Sequence, residues 1–541
     1  MSLDASPVIV VPATPTSNGG LHVGHLAGPY LAADVYARYQ HARGRSVIHT
    51  TCTDDSQSYV ATRAANLGVA PADLVRHSTA QIAQAFSVLG ATLVGLPPVD
   101  ETYRRTVLDF VTAQHEAGVF ELRTVRFPFA RKAGVCLYDA LISGSCPTCL
   151  AQSSGGACEA CGHPNNFDEL LDPYYPLDPT DDIEYREVEI LVLPLERLRD
   201  QLADHYARHT PRWRPNARDL ITELMAGPLP DVPVTVPGDW GLPAPFPETP
   251  GQRLYPWIEA MPAIIYSTWW SAGKLGRPAE RTDQFWLADN HPTVVYFHGY
   301  DNVFHWGMLD LAMLLSHPQR YATPTVTVTN EFYELDRSKF STSRGHLISA
   351  TDLLDRVPRD LARFYLTLTA PEFQRTNFTE ADLQIVVDTR LVQPWNRLAA
   401  ALAELSVPDG TVLPVSGAGR DRTQAMAGRL RRHYDDERFS PSAIADTIAT
   451  QLDRLARHRI DPDTVADVLA QAQILLAYAA PILIDVTDTL AGAGVRLRVD
   501  DGAVDKVTMF RLPMLPATFG QSGPVAVSAA EAAGPAAARA S

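Results

Sequence analysis

The chain has 541 residues, enough for several domains with a large buried core. Hydrophobic residues make up 46% of it and charged residues 20%, as in a globular protein. The formal net charge of −16 argues against a protein that holds nucleic acid through overall positive charge, although arginines cluster at 419–438 and 454–459.

The first residues, MSLDASPVIVVPA, lack the basic segment and long apolar stretch of a secretory signal. The longest apolar run, Ile474–Ile484, is too short to cross a bilayer. We therefore expect a cytoplasmic protein with no membrane partner.

The first elements in chain order predict a parallel sheet. Pro7–Ala13 is short, apolar and β-branched, which is typical of a buried strand. A glycine-containing turn, a helix over Leu26–Arg43 and a second strand over Val47–Thr51 follow. Strand, helix and strand in this order imply parallel strands, whose ligands bind beyond the carboxyl ends. Thr14–His25 and Asp54 fall at that edge.

Residues 120–235 interrupt this alternation and contain the cysteines, so they are expected to form an insertion. A strand over Thr293–Phe297, a helix over Phe304–Leu315 and a strand over Thr325–Thr329 then resume the pattern. From residue 512 the chain is rich in Ala, Gly and Pro, which predicts a disordered tail. The helices predicted after residue 376 include Glu380–Leu405, Arg422–Arg438 and Thr464–Leu490.

Four of the six cysteines form two C-x-x-C pairs, Cys146 with Cys149 and Cys158 with Cys161. In a chain without an export signal this pattern favours a tetrahedral zinc site over disulfides. Four thiolates leave no coordination position for a substrate, so the predicted zinc is structural. Free structural thiols are the alternative.

Two histidines, His22 and His25, flank Gly24 at the start of the first predicted helix, in the segment NGGLHVGH at 18–25. Side chains three residues apart on a helix share a face, and a helix N-terminus attracts anions. The segment therefore suits a triphosphate, with the imidazoles donating hydrogen bonds to the reacting phosphorus group. A pair of surface histidines at a helix cap is the alternative.

A second segment, KFSTSRG at 339–345, has the composition of a loop that folds over phosphates. Lys339 would supply positive charge as pyrophosphate leaves. A solvated basic loop is the alternative interpretation of this segment when it is considered alone.

The two segments resemble the HIGH and KMSKS signatures of class I aminoacyl-tRNA synthetases. Over about residues 7 to 400, further segments are similar to the methionyl family in its order and approximate spacing. They are AADVYARYQHARG (32–44), Thr53-Asp54, DWGLP (239–243), WIEA (257–260), Phe297–His305 and DLARFYLTLTAPE (360–372).

The resemblance implies an α/β fold: a Rossmann-like (HUP-type) catalytic domain with a parallel sheet, split by a zinc-knuckle insertion and followed by an α-helical anticodon-binding-like domain. The implied segments are 1–118 (catalytic, first half), 119–235 (insertion), 236–375 (catalytic, second half), 376–511 (helical) and 512–541 (tail).

The resemblance also implies ATP with Mg²⁺ and a structural Zn²⁺ as cofactors, and roles for individual residues. The implied catalytic residues are His22, His25, Lys339 and Thr342. The implied ATP-binding residues are Asn18, Gly24, Gly299, Asp301, Ser341 and Ser343. The implied amino-acid-binding residues are Thr14, Thr16, Asp54, Trp257, Ala260 and His305, and the metal ligands are Cys146, Cys149, Cys158 and Cys161. Asp54 would hold the substrate ammonium, and core packing is the alternative role for Trp257.

Several positions depart from the family pattern. Thr14 and Thr16 stand where the family carries Leu and Tyr against the thioether, which opens volume and favours a substrate that can pair with hydroxyls. Ser56-Gln57 replaces a His-Gly pair, and Tyr300 replaces a lysine. Thr342 replaces the second KMSKS lysine, which would weaken adenylate formation without removing it.

These departures favour a specialised paralogue that passes its acyl group to a small-molecule nucleophile, such as a hydroxylamine, in secondary metabolism. One alternative is a methionine–tRNA ligase, and another is a non-catalytic relative that binds tRNA or another ligand. Leu452–Ile460 occupies the place of the family's anticodon-reading Asn-x-Tyr…Pro-Trp segment without matching it, so we expect poor charging of methionine tRNA.

Overall fold

The computed structural model describes residues 6–166, 168–340 and 346–519. By compactness the chain divides into two units. Unit 1 comprises Met1–Gly20, Ser46–Ala83 and Thr92–Asn330, and unit 2 comprises Leu21–Arg45, Gln84–Ala91 and Glu331–Ser541. The last boundary between the units along the chain therefore falls at 330/331. The five-segment organisation places a boundary at 375/376 instead and stays a prediction.

Unit 1 contains most of the strands, and unit 2 is mainly helical. The strands of unit 1 are β1 (Val8–Pro12), β2 (Val47–His49), β3 (Glu121–Ala130), β4 (Val135–Cys136), β5 (Ser143–Ser145), β6 (Gln152–Ser154), β7 (Gly156–Ala157), β8 (Pro164–Asn165), β9 (Leu171–Tyr174), β10 (Ile183–Pro194), β11 (Asp231–Pro233), β12 (Thr235–Val236), β13 (Arg253–Leu254), β14 (Thr293–Gly299) and β15 (Val326–Asn330). Those of unit 2 are β16 (Tyr333–Leu335), β17 (Ser338–Lys339), β18 (Thr376–Phe378), β19 (Val412–Pro414) and β20 (Lys506–Thr508).

The α-helices run through both units. In chain order they are α1 (Val23–His25), α2 (Leu31–Ala42), α3 (Ser58–Leu67), α4 (Pro71–Leu89), α5 (Glu101–Glu116), α6 (Arg199–His209), α7 (Pro215–Ala226), α8 (Pro256–Lys274), α9 (Asp310–Ser316), α10 (Ala350–Arg356), α11 (Arg359–Leu368), α12 (Glu380–Val387), α13 (Gln393–Ala403), α14 (Gly417–Tyr434), α15 (Pro441–Ala456), α16 (Val465–Ala479) and α17 (Ile484–Gly492). Within the described ranges, no helix combines the length and the apolar composition needed to cross a bilayer.

The predicted parallel sheet is confirmed in unit 1. Its four strands are ordered β15-β14-β1-β2, and every neighbouring pair is parallel. All five residues of β1 are buried, as expected of a strand that is covered on both faces. Val10 pairs with Val295 on one side and with His49 on the other. The carboxyl ends of the four strands therefore meet at one edge, where ligands of such sheets bind.

The region predicted as an insertion forms its own antiparallel sheet of order β11-β10-β3-β4. β3 and β10 pair along their length, from Glu121 with Val192 to Ala130 with Ile183. Two small sheets, of order β6-β5-β9 and β7-β8, follow β4, and the paired cysteines lie next to their strands. The fold thus interrupts the parallel sheet between β2 and β14, as the resemblance implied.

A fully buried ion pair holds unit 2 together. Arg363 of α11 donates to Asp34 of α2 at 2.6 Å, and both side chains have no exposed surface. The same guanidinium donates to the backbone oxygens of Leu89 (3.1 Å), Ile482 (2.9 Å) and Pro481 (2.6 Å). Because each of the three guanidinium nitrogens has a partner, the buried charge is compensated.

The predicted helices differ from the observed ones, and for three of them the structure shows where. The helix expected over Leu26–Arg43 starts with a π-helical turn at Leu26–Tyr30, which contains Pro29, a residue without an N–H to donate. The helix expected over Thr464–Leu490 is divided into α16 and α17, and Pro481 lies in the break. The helix expected over Arg422–Arg438 is α14, which begins earlier because Ser416 caps it and ends at Tyr434.

The packed chain extends past residue 511, where the disordered tail was expected to begin. Leu512 and Leu515 are buried, and the Trp395 indole donates to the backbone oxygen of Pro513 at 2.7 Å. Asn396 accepts from the backbone N–H of Leu515 at 2.8 Å. The apolar residues of this stretch therefore pack on α13, and residues 520–541 lie outside the described residues.

Candidate active site and metal centre

The turn after β1 lies against the turn after β2. Thr16 and Asp54 form an isolated parallel bridge, and the Asp54 N–H donates to the oxygen of Pro15 at 2.9 Å. The Ser17 hydroxyl donates to the carboxylate of Asp55. The structure therefore brings Thr16 and Asp54 together, and it places a half-buried Thr14 in the same turn.

Asp54 is a buried carboxyl among other carboxyls. Burial raises its pKa well above the ordinary range, and Glu259, Asp55 and Asp139 act in the same direction. The hydrogen bond that Gln57 Nε2 donates to Asp54 Oδ2 at 2.7 Å lowers this pKa in part. A cationic ligand would compensate the cost of burying the charged form.

Trp257 and His305 form the aromatic part of the predicted amino-acid site. Their rings stack at 3.6 Å with an interplanar angle of 6°. Burial lowers the pKa of His305 to about 3, so its imidazole is neutral, and its Nδ1 has no hydrogen-bond partner among the described residues. Ala260 follows Trp257 on α8 and is buried. Trp257 also packs against the core of unit 1, so core packing is observed, and its role in amino-acid binding stays a prediction.

Two further buried carboxyls near Asp54 were missed by sequence reasoning. Glu259 accepts a hydrogen bond from the Tyr103 hydroxyl at 2.6 Å, and Asp139 accepts one from the Tyr255 hydroxyl at 2.8 Å. Burial raises the pKa of both, that of Asp139 to about 7. Glu259 lies inside the segment WIEA, which could have drawn attention to it, whereas a lone Asp139 in an insertion gives no signal.

The predicted adenosine-binding residues lie at the carboxyl end of β14. A Cβ on Gly299 would come within 2.5 Å of Asp301 Oδ1, so a side chain at this position would displace the Asp301 carboxylate. Asn302 Nδ2 donates to the same oxygen at 3.1 Å, which fixes the orientation of Asp301. Asn18 lies in the turn after β1, where its N–H donates to the oxygen of Thr16 at 2.9 Å.

In unit 2 the histidine pair lies against the second motif. The rings of His22 and His25 stack at 3.7 Å, and Phe340 stacks on the other face of the pair at 4.8 Å from His22. The Nδ1 atom of each histidine accepts from the backbone N–H of the other, at 3.2 and 3.4 Å. A Cβ on Gly24 would lie 3.1 Å from both His22 and Phe340, which explains the glycine.

The rest of the second motif is not part of this geometry. Lys339 ends β17, and its side chain is not described. Ser341, Thr342 and Ser343 lie outside the described residues. The roles assigned to these four residues stay predictions.

The four paired cysteines form a cluster that fits a zinc ion. Their sulfur atoms all lie within 4.8 Å of one another, with Cys146 3.8 Å from Cys161 and Cys149 3.7 Å from Cys158. Zinc bound tetrahedrally at about 2.3 Å sets its sulfur ligands roughly 3.8 Å apart. Although burial acts to raise the pKa of Cys146, the N–H groups of Cys149 and Thr148 outweigh it, and the pKa is lowered. Burial raises the pKa of Cys158 and of Cys161, so the closeness of the four sulfur atoms, rather than the acidity of the thiols, is what favours a metal site.

Two matching turns build this cluster. In the first, the N–H of Leu150 donates to the oxygen of Cys146 at 2.9 Å, and in the second the N–H of Gly162 donates to the oxygen of Cys158 at 2.7 Å. Leu150 and Gly162 occupy equivalent positions with positive φ, 61° and 75°. Repetition of one turn therefore places both C-x-x-C pairs around the same point.

Comparison by sequence and comparison by structure both find similarity to methionyl-tRNA synthetases. A family model described as "tRNA synthetases class I (M)" matches residues 8–401. A methionine–tRNA ligase of Pelodictyon phaeoclathratiforme is 31% identical over 385 residues, which are 70% of this chain and 55% of that protein. A methionine–tRNA ligase of Roseiflexus sp. is 29% identical over 440 residues, 79% of this chain and 73% of that protein.

The chain thus aligns with 55% of the length of the first of these relatives. Among solved structures, methionyl-tRNA synthetase of Mycobacterium tuberculosis bound by methionyl-adenylate superposes with a TM-score of 0.70 and 18% identity. This match covers 95% of this chain and 100% of that chain. At this level of identity the likeness establishes the fold.

Proposed function

The chain belongs to the methionyl group of the class I tRNA synthetases, and from this premise we propose that it is an ATP-dependent ligase that activates an amino acid and transfers it to tRNA. The proposed amino acid is methionine, which the names of the curated relatives contain. These names fit a methionine–tRNA ligase better than the specialised paralogue expected from the sequence.

The observation that carries this proposal is the environment of Asp54. Its carboxyl is buried at the carboxyl edge of the parallel sheet, and no arginine or lysine of the described residues forms an ion pair with it. An ammonium group is the ligand that compensates such a carboxylate, and every amino acid carries one. The stacked Trp257 and His305 supply an apolar and neutral surface in the same unit.

In the proposed reaction, the carboxylate of the amino acid attacks the α-phosphorus of ATP. A bond forms between the carboxylate oxygen and phosphorus, the bond to the bridging oxygen breaks, and pyrophosphate leaves with that electron pair. His22 and His25 would donate hydrogen bonds to the phosphoryl oxygens, and Asp301 would accept from the ribose hydroxyls. Lys339 and the loop with Ser341, Thr342 and Ser343 would neutralise the leaving pyrophosphate, a charge that Mg²⁺ shares when it is bound with ATP.

The proposal is tested by ATP–pyrophosphate exchange with each standard amino acid and with several hydroxylated and N-hydroxylated ones. Exchange that depends on methionine supports it. Absence of exchange with every amino acid would favour the non-catalytic relative.

A second candidate acceptor is a small-molecule nucleophile. The observation that favours it is the altered surrounding of Asp54, where Gln57 stands in place of a family glycine and bonds the carboxylate. Charging of total tRNA with radiolabelled methionine, run beside exchange, separates the two acceptors. Efficient charging supports the tRNA ligase, whereas exchange without charging supports the small nucleophile.

A further inference from the structure

Gln57 has an unusual position for the residue that precedes a helix. It is the N-cap of α3, but its side chain forms no capping hydrogen bond. Instead, its Nε2 donates to Asp54 Oδ2 at 2.7 Å. The side chain is 2% exposed, and its Oε1 has no hydrogen-bond partner among the described residues.

The unpaired amide oxygen is a strong acceptor without a donor. A buried polar atom in this condition destabilises the fold unless a ligand or water pairs with it. The planar carboxamide carries Oε1 beside the Nε2 that bonds Asp54, so any ligand held by this carboxylate is near Oε1 as well. Asp54 Oδ1 also accepts no hydrogen bond from a described residue.

The surrounding groups are acceptors too. Asp139 Oδ2 is buried and has no partner among the described residues, and Glu259 is buried with the hydroxyls of Tyr103 and Ser56 as donors. Both carboxyls act on the pKa of Asp54. When these carboxyls are ionised, the site holds more acceptors than donors, and a ligand with several N–H groups would satisfy it. A protonated amine has three.

We propose that Gln57 Oε1 accepts a hydrogen bond from the α-ammonium of the amino-acid substrate, so that Asp54 and Gln57 hold this group together. The inference rests on the proposed function and deepens it. Gln57 is then a specificity-determining residue, which favours acids that carry an α-ammonium over acids that lack it. Its Nε2 positions Asp54, while its Oε1 contacts the substrate.

Two variants separate the contact with substrate from the contact with Asp54. Gln57→Met keeps the size of the side chain and removes both polar atoms, whereas Gln57→Glu keeps an acceptor and removes the N–H that bonds Asp54. Gln201→Met, at an exposed position of α6, is the matched control. Exchange assays give KM for methionine and for ATP, and inhibition of exchange gives Ki for 4-(methylthio)butanoate, which lacks the ammonium.

We expect Gln57→Met to raise KM for methionine about tenfold or more, the scale for a hydrogen bond to a charged group. KM for ATP and Ki for the deaminated acid should stay within about twofold, because neither ligand presents an ammonium to Oε1. Gln57→Glu should recover most of the affinity for methionine, and Gln201→Met should behave as the unaltered chain.

The inference is overturned if Gln57→Met leaves KM for methionine unchanged, or weakens methionine and the deaminated acid equally. It is also overturned if Gln57→Glu is as poor as Gln57→Met, since the amide would then act only by positioning Asp54. In each of these cases the unaltered chain still catalyses exchange, so the proposed function stands. Absence of exchange by the unaltered chain is the separate result that contradicts the proposed function.

Discussion

The single residues that matter most in unit 1 are carboxyls that the fold keeps away from water. Burial raises the pKa of Asp54, Asp139 and Glu259 above their ordinary values. Between the ordinary and the raised pKa, the folded chain retains protons that the unfolded chain has released. The free energy of unfolding therefore falls as the pH rises through this range, which extends to about 7 for Asp139.

Asp54→Asn should accordingly stabilise the chain while it removes activity. Asparagine keeps the size of the side chain and avoids the buried charge, so at pH 8 we expect a gain of about 1 kcal/mol or more. The gain should shrink as the pH falls, because the raised pKa lets the folded wild type regain a proton at Asp54. Thermal unfolding of both chains from pH 5 to 9, without substrates, measures this difference. If the melting temperatures of the two chains changed in parallel with pH, Asp54 would not titrate as its burial requires.

His25→Ala tests the assignment of the histidine pair. Removing a donor to the transition state slows a reaction by about 10²-fold or more. We therefore expect that loss in the rate of exchange. His41→Ala, at an exposed position of α2 in the same unit, is the control and should retain the full rate. An unchanged rate in His25→Ala would remove His25 from the reaction.

Sequence reasoning reached the residues that lie in contiguous motifs and missed the contacts between distant segments. Asp54, Trp257 and His305 could be selected because each lies in a recognisable segment. Gln57 was noted only as a departure, since its bond to Asp54 depends on how α3 leaves the strand end. The neighbourhood of Asp139 could not be predicted, because the insertion brings it close only through the tertiary fold.

Among the structural elements, the cysteine cluster leads to the most specific prediction, which is the binding of zinc. One zinc ion per chain should bind through Cys146, Cys149, Cys158 and Cys161, because their sulfur atoms already lie within 4.8 Å of one another, close to the spacing of a tetrahedral site. Metal analysis of protein purified without added zinc measures this. Cys149→Ser should lose the metal and melt at a lower temperature, since zinc binding contributes to folding. The control, Cys136→Ser, alters a half-buried cysteine outside the cluster and should keep the metal.

A metal-free chain that is fully folded and active would contradict this prediction. Retention of a full equivalent of zinc by Cys149→Ser would contradict the assignment of the ligands.

The strands and the helices differed in how well the sequence predicted them. Short β-branched runs located β1, β14 and β15, because buried parallel strands are continuously apolar. The C-terminal helices were predicted as a class, but their ends were not. The break between α16 and α17 contains Pro481, and there Arg363 donates hydrogen bonds to the carbonyl oxygens of Pro481 and Ile482, a long-range contact that the local sequence pattern does not reveal.

In the whole molecule, the family model and the likeness to the solved structure cover different lengths of the chain. The family model ends at residue 401, whereas the structural likeness covers 95% of the chain and includes the helices beyond it. The sequence could place the α/β class and the split of the parallel sheet, because motif order and strand pattern are local. From the sequence, the packed chain was expected to end at residue 511. The burial of Leu512 and Leu515 was missed, because it depends on contacts with α13.

The central claim is that this chain makes an aminoacyl adenylate, and a single-turnover measurement tests it most directly. The chain is mixed with ATP labelled at the α-phosphorus, methionine and pyrophosphatase, and the labelled adenylate is counted after a rapid quench. We predict a burst of methionyl adenylate that is stoichiometric with the chain, and none with Asp54→Asn. A folded, zinc-loaded chain that gives no burst with methionine or with any other amino acid would contradict the account.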